Sequence, residues 1–153
     1  MQKKPMSSAE EDQYISNLVA QVKAYDPDLV VGVLRSGMVY ATYVAQQIKY
    51  VKMAGYDPAT GNIYMLCDAE FKDFKRIMFI DDNIVTGETF TSVQNRFSDI
   101  DFRFGVLFTD AIATPAHIKA QVFAGVDLGY FAYPVPSIKK VYQQGIRFRD
   151  ESI

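Results

Sequence analysis

Two adjacent carboxylates, Asp81 and Asp82, end an apolar run, and a Thr86-Gly87-x-Thr89 turn follows them in the stretch FIDDNIVTGETF. Like charges side by side are poor core material, so the pair marks a place where the chain meets solvent or a ligand. Carboxylates accept hydrogen bonds from vicinal hydroxyls or bind a hard cation such as magnesium. A turn leading into a helix presents unpaired backbone N–H groups and the positive end of the macrodipole, which together favour an anion. Thr86 and Thr89 would add hydroxyl donors, the amides from Val85 to Glu88 would line the turn, and Gly87 lets the backbone approach a ligand closely. A sugar phosphate satisfies both halves, with its ribose hydroxyls on Asp81 and Asp82 and its 5'-phosphate on residues 85–89.

The elements that must hold these residues follow from the hydrophobic pattern. Ser8 and Glu11 have the spacing of a capping box, which predicts a first helix from about Ala9 to about Ala24, ended by Asp26-Pro27. DLVVGVL, RIMFID and FRFGVLF read as strands covered on both faces, as in a parallel sheet. YVKMAGY and NIYMLCD read as shorter strands around the turn signal Asp57-Pro58-Ala59-Thr60-Gly61. MVYATYVAQQI, residues 88–97 and PAHIKAQVF have helical character, the last with Pro115 at a favourable early position. The βα alternation predicts one α/β domain over 1–153, an open and mainly parallel sheet flanked by helices, with residues 127–153 forming a small hood and tail. In such sheets ligands bind beyond the carboxyl ends of the strands. The turn Arg35-Ser36-Gly37 and the segment from Asp81 to Thr89 both fall there and are expected to share one crevice.

Composition narrows the class of function. With 153 residues, 49% hydrophobic, 22% charged and a formal net charge of −2, neither disorder nor a strongly basic nucleic-acid binder is indicated. Cys67 is the only cysteine, which excludes an internal disulfide and a multi-cysteine zinc cluster. No apolar run approaches the roughly 18 residues that would span a membrane. These features suggest a cytoplasmic protein. His117, the sole histidine, lacks partners at ligand spacing and reads as a surface or packing residue, and Lys139, Lys140, Arg147 and Arg149 read as a solvated face.

The stretch from Phe79 to Phe90 resembles the signature of the type I phosphoribosyltransferases, in which a strand, two acidic residues and a Thr-Gly-x-Thr loop hold 5-phosphoribosyl 1-pyrophosphate (PRPP). VVGVLRSGMVYATYVA is similar to that family's first strand and pyrophosphate loop, which implies that Arg35, Ser36 and Gly37 offer backbone amides to pyrophosphate, with a non-proline cis peptide between Leu34 and Ser36. VLFTD and VDLGYFAYP resemble the base-binding end of the small bacterial purine enzymes of xanthine-guanine type, placing Asp110, Tyr130 and Phe131 around the base. The resemblance implies phosphoribosyl transfer from PRPP to a nucleobase, a purine favoured, with pyrophosphate released, Asp81 and Asp82 as catalytic residues, and magnesium as cofactor with Asp82 as a candidate ligand. It further implies a homodimer or higher homo-oligomer.

Three departures from the family pattern keep a second reading open. Val85 stands where many purine enzymes carry an aspartate, and a valine cannot take a proton. Asp110 stands where a lysine is common, and would accept from an exocyclic amine. GYDPATGN, expected as the mobile loop over pyrophosphate, contains no lysine or arginine. A PRPP- or nucleotide-binding regulatory module without efficient turnover is the alternative. RIMFIDDN alone also resembles the first strand of a receiver domain, but only 71 residues follow Asp82, too few for the further βα units such a domain needs.

Overall fold

The computed structural model describes residues 3–129 and 131–134, with side chains from Met6 to Gly129. The chain runs β1 (Lys3–Met6), α1 (Ser8–Tyr25), β2 (Leu29–Val33), α2 (Ser36–Gln46), β3 (Lys52–Asp57), β4 (Asn62–Met65), a 3-10 turn at Phe71–Asp73, β5 (Ile77–Ile84), α3 (Glu88–Arg96), β6 (Phe102–Asp110), α4 (Ala116–Lys119), β7 (Val122–Leu128) and β8 (Phe131–Pro134). The main sheet has six strands in the order β4-β3-β2-β5-β6-β7, parallel except for the β3–β4 hairpin. This is the open α/β arrangement expected from the sequence.

Alternation along the central strands divides the core between the two faces of the sheet. Val30, Met78, Ile80 and Leu107 pack against Leu18 and Val22 of α1 and Val44 of α2. Leu29, Val31, Phe79, Phe104 and Val106 pack against Phe90 and Val93 of α3 on the other side. Phe79 is fully buried and meets Tyr56 edge-on at 5.9 Å and Phe97 at 5.3 Å between ring centroids. The strands therefore read as continuous apolar runs because both of their faces are covered.

Strand order fixes the position of the site. From β2 the chain crosses to β3 on one side, and from β5 it crosses to β6 on the other, so the order reverses between β2 and β5. Gly32 pairs with Ile80, which brings the carboxyl ends of these two strands side by side. Ligands of open α/β sheets bind in the crevice this reversal creates.

Three local expectations need correction. The capping box uses Ser7 and Glu10, not Ser8 and Glu11: Ser7 Oγ accepts from Glu10 N, and Glu10 Oε1 accepts from Ser7 N, each at 3.1 Å. Glu11 instead points inward, 2% exposed, where it accepts from the Tyr40 hydroxyl at 3.3 Å. The helix predicted over 115–123 is a single turn, with Pro115 as its N-cap. Val122 and Phe123 leave it to pair with Phe104 and Gly105 as the start of β7, their β-branched and aromatic side chains suiting a strand. The segment Lys3–Met6, not anticipated as a strand, pairs in parallel with β8 in a separate two-stranded sheet.

At β7, the side-chain amides of Asn17 and Gln21 on α1 donate to Gly125 O and Ala124 O at 3.0 and 2.7 Å. No described helix is long and apolar enough to cross a membrane.

Candidate ribose-phosphate site

β5 carries the acidic pair out of the core. Ile77 to Ile80 are buried, and Asp81, Asp82 and Asn83 are half-buried before Ile84 turns in again. Each carboxylate organises the backbone after it: Asp81 Oδ1 accepts from Asp82 N at 2.8 Å, and Asp82 Oδ1 accepts from Asn83 N at 2.9 Å. Burial first, and then the neighbouring Asp82 charge, hold Asp81 well above the ordinary carboxyl range. The pair is therefore held in a fixed orientation at the edge of the crevice.

The turn after β5 ends at Gly87, whose φ of 91° is accessible to glycine at little cost. Gly87 is the N-cap of α3, and no side chain caps that end. Thr91 N donates to Gly87 O, the first bond of the helix, so the N–H groups of the first turn face outward without a side-chain partner. A Cβ on Gly87 would stand 2.3 Å from Ile118 Cδ1, showing that α4 buttresses the turn from behind. Residues 81–90 enclose a cavity of about 210 Å³. Val85, Thr86, Gly87, Glu88 and Thr89 all line it together with both aspartates, as the sequence predicts.

The other turn reaches the same place. The Leu34–Arg35 peptide is cis, within the interval expected from the sequence. Arg35 is exposed, Ser36 half-buried and Gly37 buried. A Cβ on Gly37 would lie 2.5 Å from Ile80 O, 2.9 Å from Asp81 Cα and 3.1 Å from Asp81 Oδ1. Glycine is thus what lets the start of α2 rest directly on the acidic pair. The 35–37 turn therefore lies directly beside Asp81.

Beneath it lies a residue that sequence reading did not single out. Tyr40, 3% exposed on α2, donates to Glu11. Burial first, then the charges of Glu11 and Asp82, push its phenol above the ordinary range, so α1, α2 and β5 meet in one acidic environment. Burial likewise raises Glu11, with the Tyr40 hydrogen bond opposing it. The signal available in the sequence was a tyrosine one helical turn after Gly37, on the face that also carries Ala41 and Val44.

No family model and no curated protein sequence matches the chain. Solved structures do. The chain is similar to a purine phosphoribosyltransferase from Pyrococcus horikoshii, with 16% identity and a TM-score of 0.64 over 88% of this chain and 93% of that one. It is similar to a xanthine-guanine-hypoxanthine phosphoribosyltransferase from Helicobacter pylori, again at 16% identity and 0.64, over 94% and 99%. An orotate phosphoribosyltransferase from Aeropyrum pernix matches at 14% identity and 0.58, over 80% and 74%. The chain has the phosphoribosyltransferase fold.

Within this phosphoribosyltransferase fold the base-side residues are placed less as the sequence suggests. Asp110 is 2% exposed, and its Oδ1 accepts from Ile112 N at 2.8 Å and Ala113 N at 2.7 Å. That carboxylate builds the 111–114 turn, a task its sequence position did not reveal. Thr114 Oγ1 completes the turn by accepting from Asp110 N and donating to Ile84 O, which ties the ends of β5 and β6 together. Tyr130 lies outside the described residues, and Phe131 is described only as backbone, at the start of β8. The tail from residue 135 onward also lies outside them. The segment 55–62, expected as a mobile loop, is the β3–β4 hairpin: Tyr56 pairs with Ile63, Asp57 with Asn62, and Gly61 N donates to Asp57 O at 2.7 Å. Its tip presents no basic side chain.

Proposed function

We propose that the crevice between β2 and β5 binds PRPP and transfers its phosphoribosyl group to a nucleobase, a purine favoured, with pyrophosphate released. The observation that carries this reading is the convergence of an uncapped helix N-terminus and an acidic pair on one cavity, with the Gly37 turn packed directly against Asp81. The 5'-phosphate sits on the first turn of α3, where N–H groups and the macrodipole favour an anion. Asp81 and Asp82 accept from the ribose 2'- and 3'-hydroxyls. Arg35, Ser36 and Gly37 receive the pyrophosphate from the other side of the crevice. Transfer is a displacement at the anomeric carbon through an oxocarbenium-like state, for which these residues supply position and charge with no covalent intermediate.

Magnesium fits the donor set. Among the described residues no group of three or more His, Cys, Asp or Glu side chains could hold a metal. Mg²⁺, however, commonly binds through one or two carboxylates plus substrate phosphates and water. Asp82, beside a carboxyl that burial already penalises for charge, is the residue of this chain that would hold it. When bound, the ion would neutralise the charge developing on the departing pyrophosphate.

The test pairs binding with chemistry. Ribose 5-phosphate binding measured by calorimetry is expected to weaken about a hundredfold or more in Thr86→Val/Thr89→Val, each lost hydrogen bond to a charged group contributing about 1.5–3 kcal/mol. Magnesium-dependent pyrophosphate release from PRPP is expected with at least one base of a purine and pyrimidine panel. Unchanged affinity in the double variant refutes the cradle. Saturable binding with no release for any base favours a regulatory module instead, the reading supported by Val85 in the cavity wall and by a hairpin whose own residues 55–62 include no lysine or arginine.

A further inference from the structure

We propose that Glu11 and Tyr40 are positioning residues, whose buried hydrogen bond sets the orientation of α2 and so aims the Arg35-Ser36-Gly37 turn at the pyrophosphate of the substrate. The inference rests on the PRPP reading of the crevice and adds to it a pair that touches no ligand. Glu11 is 2% exposed and Tyr40 3% exposed, and the phenol donates to Glu11 Oε2 at 3.3 Å. A carboxylate is costly to bury, and among the described residues no lysine, arginine or histidine pairs with this one. Its place in the first turn of α1, where the macrodipole favours negative charge, offsets part of that cost. Two apolar side chains of similar size would fill the space without it. What the polar pair adds is direction.

Direction matters because of how α2 is seated. The helix starts at Ser36, and no side chain caps that end, so its first-turn N–H groups point toward the turn without a side-chain partner. Two close approaches set its distance from the sheet. A Cβ on Gly32 of β2 would stand 2.6 Å from Met38 Cα, and one on Gly37 would stand 2.5 Å from Ile80 O of β5. Packing of this kind fixes spacing but leaves rotation about the helix axis open, because apolar contact is non-directional. Tyr40 follows Gly37 by three residues and therefore lies on the same face, one turn along. Its bond to α1 resists rotation next to the end that carries the 35–37 turn. The Asp82 charge acts on the same phenol, which places the pair directly beneath the acidic half of the site.

Calorimetry with two separate probes tests the role: inorganic pyrophosphate in the presence of magnesium, and ribose 5-phosphate. Urea unfolding measures stability alongside. Tyr40→Phe is expected to weaken pyrophosphate about tenfold and to leave ribose 5-phosphate within about twofold, because residues 81–90 line their cavity without α2. Glu11→Gln keeps an acceptor for the phenol and is expected to bind pyrophosphate within about twofold of wild type. Glu11→Leu/Tyr40→Phe makes the pair apolar. It is expected to be at least as stable as wild type and still to bind pyrophosphate about tenfold more weakly, a separation that a purely structural role would not produce. Unchanged pyrophosphate affinity in this double variant, or parallel loss of both ligands and of stability, overturns the role of the pair and leaves the ribose-phosphate reading standing. A wild type that binds neither probe overturns that reading itself, and the role of the pair with it.

Discussion

Replacing Gly37 by alanine separates two accounts of that residue by the sign of the effect. Gly37 is the second residue of α2. By helix propensity alone, alanine should stabilise the chain by about 0.5–1 kcal/mol. The packing argues the reverse. The new methyl would stand 2.5 Å from Ile80 O and 2.9 Å from Asp81 Cα, and both are backbone atoms of a central strand that cannot rotate away. Overpacking of this kind costs about 1–3 kcal/mol. The balance is a net loss of about 0.5–2 kcal/mol, or roughly 1–8 °C in Tm for a chain of this size. Urea and thermal unfolding measure it, with Gly129→Ala as a control, because a Cβ there meets nothing within 4 Å. A second readout follows from Asp81: any shift of α2 away from β5 moves the surface under the acidic pair, so ribose 5-phosphate affinity is expected to fall about tenfold. Gly37→Ala protein as stable as wild type, with unchanged affinity, would refute the claim that this glycine joins the two halves of the site.

Two further outcomes are expected. Because the folded state holds Asp81 above its ordinary carboxyl range, folding retains a proton there, and this group's contribution to stability falls as pH rises from the ordinary carboxyl range through the raised value. Asp81→Asn should therefore be more stable than wild type at neutral pH and show a flatter dependence of urea unfolding on pH, while losing ribose affinity; an unchanged slope would count against the buried-pair account. Phe79→Ala empties the centre of the aromatic layer and should cost about 3–5 kcal/mol in chemical denaturation. A loss below about 1 kcal/mol would mean that Tyr56, Phe97 and Phe104 close over the gap.

The sheet was readable because its central strands are buried on both faces, and only long apolar runs such as Leu29 to Val33 and Ile77 to Ile80 meet that condition. The cavity after β5 was readable for a different reason: the residues that line it are contiguous from Asp81 to Phe90, so local sequence contains the whole lining. What depended on distant packing was not. The capping box moved by one residue because Glu11 is drawn into the interior by Tyr40, a partner 29 positions away. Val122 and Phe123 fit a helical spacing as well as a strand until β6 is present to pair with them. Asp110 looked free to meet a base because nothing in its neighbourhood announces that its carboxylate closes the turn to Thr114. Lys3–Met6, with two lysines and a proline, has no strand signature and owes its conformation to β8.

That last pairing has a consequence for biosynthesis. Every strand of the main sheet lies between Lys3 and its partner Phe131 in sequence, so all of them are translated after the first member of the pair and before the second. At about 5–20 residues per second, the amino-terminal strand waits roughly 6–25 s for its mate. The central sheet can assemble in that interval, so the small β1–β8 sheet is completed only after the larger one can already be set.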